Sequence, residues 1–218
     1  MSDDKPLALV TGASRGIGAA TAKQLAAKGY HVLLTARTEG ALEEVESEIH
    51  AAGGSATLAP FDLGDGEAIV RLADAVQSRW QRLDLLVLNA GMLGELGPLA
   101  HVDDKQFAQV FTINVAANFR LLKMFDPLLR AAERPQVVAV TSSVGSAPRA
   151  YWGPYAASKA ALENLVNTYA AENDKAAVHI FDPGRTRTKM REAAFPGEDP
   201  NTLPTADETA ERLVDLLG

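Results

Sequence analysis

The 218-residue chain has no cysteine, only four histidines, 6% aromatic residues and a deficit of positive charge, with 21 Lys and Arg against 28 Asp and Glu. Without cysteine it has no disulfides, no thiolate metal site and no thiol nucleophile. His31, His50, His101 and His179 are too scattered for a zinc-protease-type pair, so no metal is expected. A formal charge of −7 is repelled by phosphate backbones and anionic membrane surfaces, which argues against nucleic-acid and membrane partners. No apolar run comes near the roughly 18 residues of a membrane helix. The start, Met1-Ser2-Asp3-Asp4-Lys5-Pro6, is acidic and polar where a signal peptide is basic and then apolar, so the cytoplasm is the expected compartment. What remains is an ordinary folding composition, 47% apolar and 22% charged, with no Pro/Ser/Gly-rich linker. Residues 1–218 read as a single domain.

Short apolar runs at 7–11, 31–35, 56–61, 83–89, 136–142 and 177–181 alternate with helix-spaced stretches at 16–28, 39–52, 65–82, 102–132, 153–173 and 205–217. That alternation predicts an α/β fold around a parallel sheet, with strands covered on both faces because most runs lack polar alternation. Pro127 is expected to bend the fourth helix.

After the first run comes Thr11-Gly12-Ala13-Ser14-Arg15-Gly16-Ile17-Gly18, and a helix follows at once. A strand, a glycine turn and a helix start set free N–H groups against an anion, which fits the pyrophosphate of a dinucleotide. The spacing is GxxxGxG rather than the commoner GxGxxG. At the end of the second run, where an acidic residue would hold a ribose 2′-hydroxyl, stand Thr35-Ala36-Arg37-Thr38. Arg37, joined by Arg15, suits a 2′-phosphate, so NADP(H) is favoured over NAD(H). Both arginines also read as solvated surface charges, and Glu39 stands close enough to take a ribose hydroxyl. Asp62, followed by Leu63, is either an acceptor for an adenine amino group or a turn residue.

Tyr155-Ala156-Ala157-Ser158-Lys159 opens the fifth helical stretch, and a spacing of four puts phenol and ammonium on one face. A cation beside a phenol stabilises the phenolate and suits it to proton transfer. With the glycine turn, Asn89-Ala90-Gly91 after the fourth run and Ser142 ahead of the tyrosine, the chain resembles the short-chain dehydrogenase/reductase superfamily, in its compact ketoreductase-type branch. The resemblance runs nearly end to end. It implies a Rossmann-type doubly wound sheet of strand order 3-2-1-4-5-6 and hydride transfer between a nicotinamide and a carbonyl or alcohol. It also implies roles. Tyr155 would be the general acid/base. Lys159 would bind the nicotinamide ribose and depress the tyrosine pKa. Ser142 would bond the substrate oxygen, and Asn114 would hold a water linking Lys159 to solvent. Gly12, Ser14, Arg15, Gly16, Ile17, Gly18, Arg37, Asp62, Leu63, Asn89, Ala90 and Gly91 would line the cofactor, with Pro183, Gly184, Thr186 and Thr188 closing over its carboxamide.

Two features depart from the family pattern. The segment Arg185-Thr186-Arg187-Thr188-Lys189-Met190-Arg191 is strongly basic, with Thr186 where an apolar residue is usual. If extended, it presents one cationic face that would draw an acidic substrate; if Thr188 caps a short helix, that face disappears. The seventh strand of relatives has no counterpart before Gly218, so a homodimer through the 102–132 and 153–173 helices is expected rather than a tetramer. Substrate walls are expected from residues 92–98, 144–152 and 184–203. Two other readings use the same glycine turn: a redox-sensing NADP(H)-binding protein and a methyltransferase, neither of which needs Tyr155 and Lys159.

Overall fold

A computed structural model describes residues 5–218; the polar start, residues 1–4, lies outside the described residues. Six strands, β1 (Leu7–Thr11), β2 (His31–Thr35), β3 (Ser55–Leu58), β4 (Leu85–Leu88), β5 (Gln136–Val140) and β6 (Ala177–Phe181), form one sheet of order β3-β2-β1-β4-β5-β6. Every pairing is parallel, with Leu7 opposite His31, Ala8 opposite Leu85 and Leu85 opposite Gln136. The chain builds outward from β1 to β3, then crosses back to place β4 on the other side of β1. That reversal opens a crevice beyond the carboxyl ends of β1 and β4, where doubly wound sheets take their ligands.

Each strand sends alternate side chains to opposite faces, and the core divides accordingly. Leu7, Leu9, Leu86, Leu88, Val137 and Ala139 pack under α3 (Gly66–Arg79), α5 (Ala117–Ala131) and α6 (Gly153–Glu172), through Ile69, Val76, Leu121, Phe125, Leu162 and Val166. Ala8, Val10, Leu85, Val87, Val138 and Val140 pack under α1 (Gly16–Ala27), α2 (Glu39–Ala51) and the last helix, Ala206–Asp215, through Ala22, Leu25, Leu42, Ile49 and Leu213. Burial of each large aliphatic side chain contributes about 1.5–3 kcal/mol, so both faces are needed to hold the sheet.

The predicted 102–132 helix is divided. After α4 (Asp104–Phe111), capped by Asp103, residues Thr112–Ala116 form a π turn that leads into α5. The wider turn withdraws a backbone bond, and Asn118 Nδ2 replaces it by donating to the Asn114 carbonyl at 2.7 Å. Pro127 lies inside α5, so the helix's break in register falls at the π turn instead. Three predicted strands are shorter than expected: residues 59–61, 89 and 141–142 lie beyond the regular strands at the carboxyl edge of the sheet, on the crevice side.

The basic 185–191 segment is not extended. Thr188 accepts from Arg191 N–H at 3.1 Å and caps α7 (Lys189–Ala194), so the cationic stripe does not form. Helix formers from Lys189 to Ala194 outweigh the period of two. The last helix, α8 (Ala206–Asp215), starts in a capping box between Thr205 and Glu208 and lies on α1, with Gln24 Nε2 donating to the Asp207 carbonyl at 2.9 Å.

β1 and β4 are pinned at the crevice. Thr11 Oγ1 donates to the Val87 carbonyl at 3.1 Å and accepts from the N–H groups of Asn89 and Ala90, while Asn89 Nδ2 donates to the Thr11 carbonyl at 2.8 Å. Helix α1 descends onto this pin so closely that a Cβ on Gly18 would lie 2.3 Å from the Gly12 carbonyl oxygen and 2.4 Å from Asn89 Nδ2. Gly40, in α2, meets nothing within 4 Å. We therefore expect opposite outcomes in urea unfolding: Gly18→Ala destabilises by about 2 kcal/mol or more through overpacking, and Gly40→Ala stabilises by about 0.5–1 kcal/mol through helix propensity. Equal effects would contradict the close approach.

Candidate active site

The glycine turn has the backbone that its sequence demands. Gly12 and Gly16 have positive φ, 66° and 56°, a region that disfavours any side chain. Arg15 is the N-cap of α1, yet no side chain caps this end and no acidic residue lies in its first turn. By contrast α3, α4, α7 and α8 are each capped by a side chain. The N–H groups of Gly16, Ile17 and Gly18 thus face the crevice side uncapped, and with the helix dipole they suit an anion.

At the end of β2, Arg37 is exposed, and its Nη1 lies 3.9 Å from Asp62 Oδ2. The other Asp62 oxygen accepts from Gly64 N–H at 2.8 Å, so the residue is at once a turn former and an acceptor facing Arg37. Leu63 turns its side chain into the core, leaving only its backbone toward the crevice. Ser14 and Arg15 are on the outer side of the glycine turn, with Arg15 exposed.

On the other side of β4 the chemical groups converge. Tyr155, 7% exposed, sits in the first turn of α6, whose entry is set by Pro154. Burial, against a downward pull from the hydroxyl of Ser142 just beyond β5 and aided by the charge of Asp182, pushes Tyr155 up to about 12. Lys159, 3% exposed, is one turn further on; its Nζ donates to the Val140 carbonyl at 2.8 Å and lies 5.7 Å from the Tyr155 ring centroid. The phenol is thus raised rather than depressed, with the ammonium 5.7 Å from its ring and bonded to β5. Burial brings Lys159 itself down to about 8, against an opposing push from Glu163.

Asn114, buried on the π turn, uses both ends of its amide. Its Oδ1 accepts from Met92 N–H at 2.7 Å and its Nδ2 donates to the Met92 carbonyl and to Ser158 Oγ, both at 2.9 Å. Oδ1 keeps a second lone pair, and the backbone carbonyl, which accepts from Asn118 Nδ2 at 2.7 Å, is a second acceptor for a water on the Lys159 side. Between the two, a Cβ on Gly91 would come 3.5 Å from Asn114 Oδ1 and 3.6 Å from Lys159 Nζ, so glycine keeps the groove floor open there.

The 183–188 segment lies over the glycine turn, with Thr188 Cγ2 3.5 Å from where a Gly16 Cβ would be. Thr186 is buried, its hydroxyl donating to the Pro183 carbonyl at 3.2 Å and paired with Thr209 at 3.0 Å. Sequence reasoning missed Ser158, which ties Asn114 to α6, and Glu198, which accepts both Arg191 Nε and Nη2 and lies 3.6 Å from Arg185. A serine inside the Tyr155–Lys159 spacing was the available signal for the first; nothing local marks the second. Among the described residues no cluster suited to a metal ion occurs, and no helix is long and apolar enough to cross a membrane.

Crevice, uncapped helix, half-buried Ser142 and buried Tyr155 and Lys159 define a doubly wound nucleotide-binding oxidoreductase type of site. The chain belongs to the short chain dehydrogenase family, whose pattern its residues 6–199 match. It is 36% identical over 96% of its length to the uncharacterized oxidoreductase YciK of Escherichia coli K12, of which the match covers 85%. It is 35% identical to a fatty acyl-CoA reductase of Acinetobacter baylyi, spanning only 57% of that protein. Among solved structures, a short chain dehydrogenase of Escherichia coli CFT073 complexed with NADPH superposes with a TM-score of 0.92 at 36% identity, covering 100% of this chain and 93% of the other. One from Pseudomonas syringae gives 0.93 at 39% identity, covering 98% and 89%.

A depressed Lys159 has a thermodynamic consequence. Between about pH 8 and the solvent value of 10.5 the unfolded chain binds a proton that the folded chain has released, so this residue's contribution to stability rises with pH across that window. Its penalty is present in full below the folded pKa. Lys159→Met removes the dependence. Urea unfolding should show the variant's stability relative to wild type falling as pH climbs from 8 to 10.5. A pH-independent difference would mean that the lysine is not depressed.

Proposed function

We propose that this protein is an NADP(H)-dependent oxidoreductase, one domain carrying both cofactor and substrate sites, that moves hydride between nicotinamide and a carbonyl or alcohol with Tyr155 as general acid/base. The observation that carries the reading is the Ser142 hydroxyl beside the buried Tyr155 phenol with Lys159 buried one turn away, beside an uncapped helix end that fits a pyrophosphate. The bound cofactor would supply the hydride. Gly12, Ser14, Gly16, Ile17 and Gly18 would hold its phosphates, and Asn89, Ala90 and Gly91 would leave room for it beside the pin. Ser142 orients the carbonyl oxygen. Tyr155, held at about 12, is protonated at neutral pH, the state required to give a proton to that oxygen as it gains charge. Lys159 would bind the nicotinamide ribose, and Asn114 would serve a water through its carbonyl. Pro183, Gly184, the backbone of Thr186 and the hydroxyl of Thr188, which still has its proton to donate, would close over the carboxamide.

Preference for NADP(H) over NAD(H) is supported by Arg37 and Arg15, with no acid at the end of β2, and by relatives solved with NADP and NADPH. A homodimer through α4, α5 and α6 is supported by Phe107 and Phe119, exposed on the first two, and by the small residues that open the third.

Tyr155→Phe should keep NADPH affinity and lose turnover on any accepted ketone about a hundredfold or more, read from NADPH absorbance. Wild-type turnover would remove Tyr155 from the reaction. Arg37→Ala should weaken NADPH about tenfold and leave NADH unchanged in calorimetric titration; equal wild-type affinity for the two cofactors would overturn the preference.

A further inference from the structure

Beside the phenol, three aromatic rings and two arginines form a continuous stack. The Trp152 indole stands edge-on to the Tyr155 ring, centroids 6.0 Å apart, and 5.6 Å from Phe195, which the 195–198 turn brings over the crevice from the end of α7. Arg149 places its guanidinium carbon 4.9 Å from the Phe195 centroid and 5.4 Å from that of Trp152, and Arg191 lies 3.7 Å from Phe195. The two arginines share a ring and differ in what their N–H groups do. Those of Arg191 are spent on Glu198, bidentate at 2.5 and 2.7 Å. The Arg149 guanidinium has neither a carboxylate nor another acceptor among the described residues, and it is exposed.

Stacking engages the face of a guanidinium, whereas its donors lie in the plane. Arg149 is therefore held in orientation by two rings with its fork still available, the geometry for a bidentate carboxylate. One free fork suits a carboxylate better than a doubly charged phosphate, which gathers several cations. The position also limits the ligand. Arg149 stands beyond the indole from the phenol, Trp152 being 6.0 Å from the Tyr155 ring and 5.4 Å from the guanidinium carbon, so a carboxylate on its fork is set apart from the reacting carbonyl by the width of that ring. The path from phenol to guanidinium runs across the indole, a flat surface for an apolar or aromatic body.

We propose that Arg149 recognises a carboxylate borne by the substrate at the end remote from its carbonyl, with the substrate's body lying on Trp152. The proposal rests on the reading of Tyr155 as proton donor to a carbonyl. It replaces the basic stripe that the sequence suggested, whose Arg191 is held by Glu198, with Arg185 3.6 Å from the same carboxylate.

The test uses NADPH-loaded protein with benzoylpropionate and benzoylbutyrate against their methyl esters, and, as a readout without turnover, calorimetric binding of phenylbutyrate against phenylbutyramide. Wild type should favour acid over ester in kcat/KM, and carboxylate over amide in affinity, by about tenfold. Both ratios should shrink toward one in Arg149→Ala and, for wild type, with added salt. If wild type treats acid and ester, and carboxylate and amide, alike, or if Arg149→Ala leaves the ratios unchanged, the inference is wrong, while reduction of both ketones would leave the oxidoreductase reading standing. Arg149-dependent binding of phenylbutyrate with no reduction of either ketone would sink that reading and support the anion site.

Discussion

The crevice depends on one steric constraint, the contact of α1 with the Thr11–Asn89 pin. Two parallel strands leave the sheet side by side, and their carbonyl ends would be free to separate were they not joined by Thr11 Oγ1 and Asn89 Nδ2. Because Gly18 has no side chain, the helix sits against that joint and its amino end points at the gap. The nucleotide turn, the groove floor at Gly91 and the placement of the Thr188 segment over Gly16 all take their positions from it. Packing on both faces makes the joint rigid, since α1 is pressed down by α8 and by the Ala22 and Leu25 contacts with the sheet.

A second constraint sets the chemistry. Lys159 is buried deeply enough to hold its ammonium less firmly than a solvated lysine would, and one carbonyl, that of Val140, is its hydrogen-bond acceptor. The arrangement is poorly satisfied for an ammonium, which has three donors. Groups bearing hydroxyl acceptors in the adjoining groove would complete its shell, and such a ligand would raise its pKa again. Tyr155 is in the complementary condition, a phenol kept protonated by burial and by Asp182. Burial thus acts on the two side chains in opposite senses, holding the phenol to its proton and loosening that of the ammonium.

What could be read in the sequence was what local patterns determine. Apolar runs marked all six strands, and the strand–glycine–helix order marked the crevice, because a turn with Gly12 and Gly16 at positive φ admits few residues. The spacing of Tyr155 and Lys159 put both on one face of α6. Strand ends were read too long because residues 59–61 and 141–142 are apolar or β-prone, and Ala59, Phe61 and Thr141 still bond the neighbouring chain, although the regular strands stop at Leu58 and Val140. The π turn was hidden: its stability comes from Asn118 covering the Asn114 carbonyl and from Met92 fixing the amide, contacts that no local spacing reports.

The 185–198 segment shows why charge patterns are weaker guides than glycine or capping patterns. Its alternation of Arg, Thr, Arg, Thr and Lys matches a strand, but the same residues contain a cap, Thr188, followed by Lys-Met-Arg-Glu-Ala-Ala, all good helix formers. The helix turns Arg191 back onto Phe195 and toward Glu198 seven positions later, and two cations that seemed available to a ligand meet one carboxylate. Arg149 carried no local signal at all, being one exposed arginine in a loop. It differs from its neighbours only through the rings that the fold brings beneath it. Free charge at a cleft is therefore a property of tertiary pairing: Arg191, on the patterned segment, is bound bidentate to Glu198, while Arg149, in a loop without such a pattern, meets only aromatic rings among the described residues.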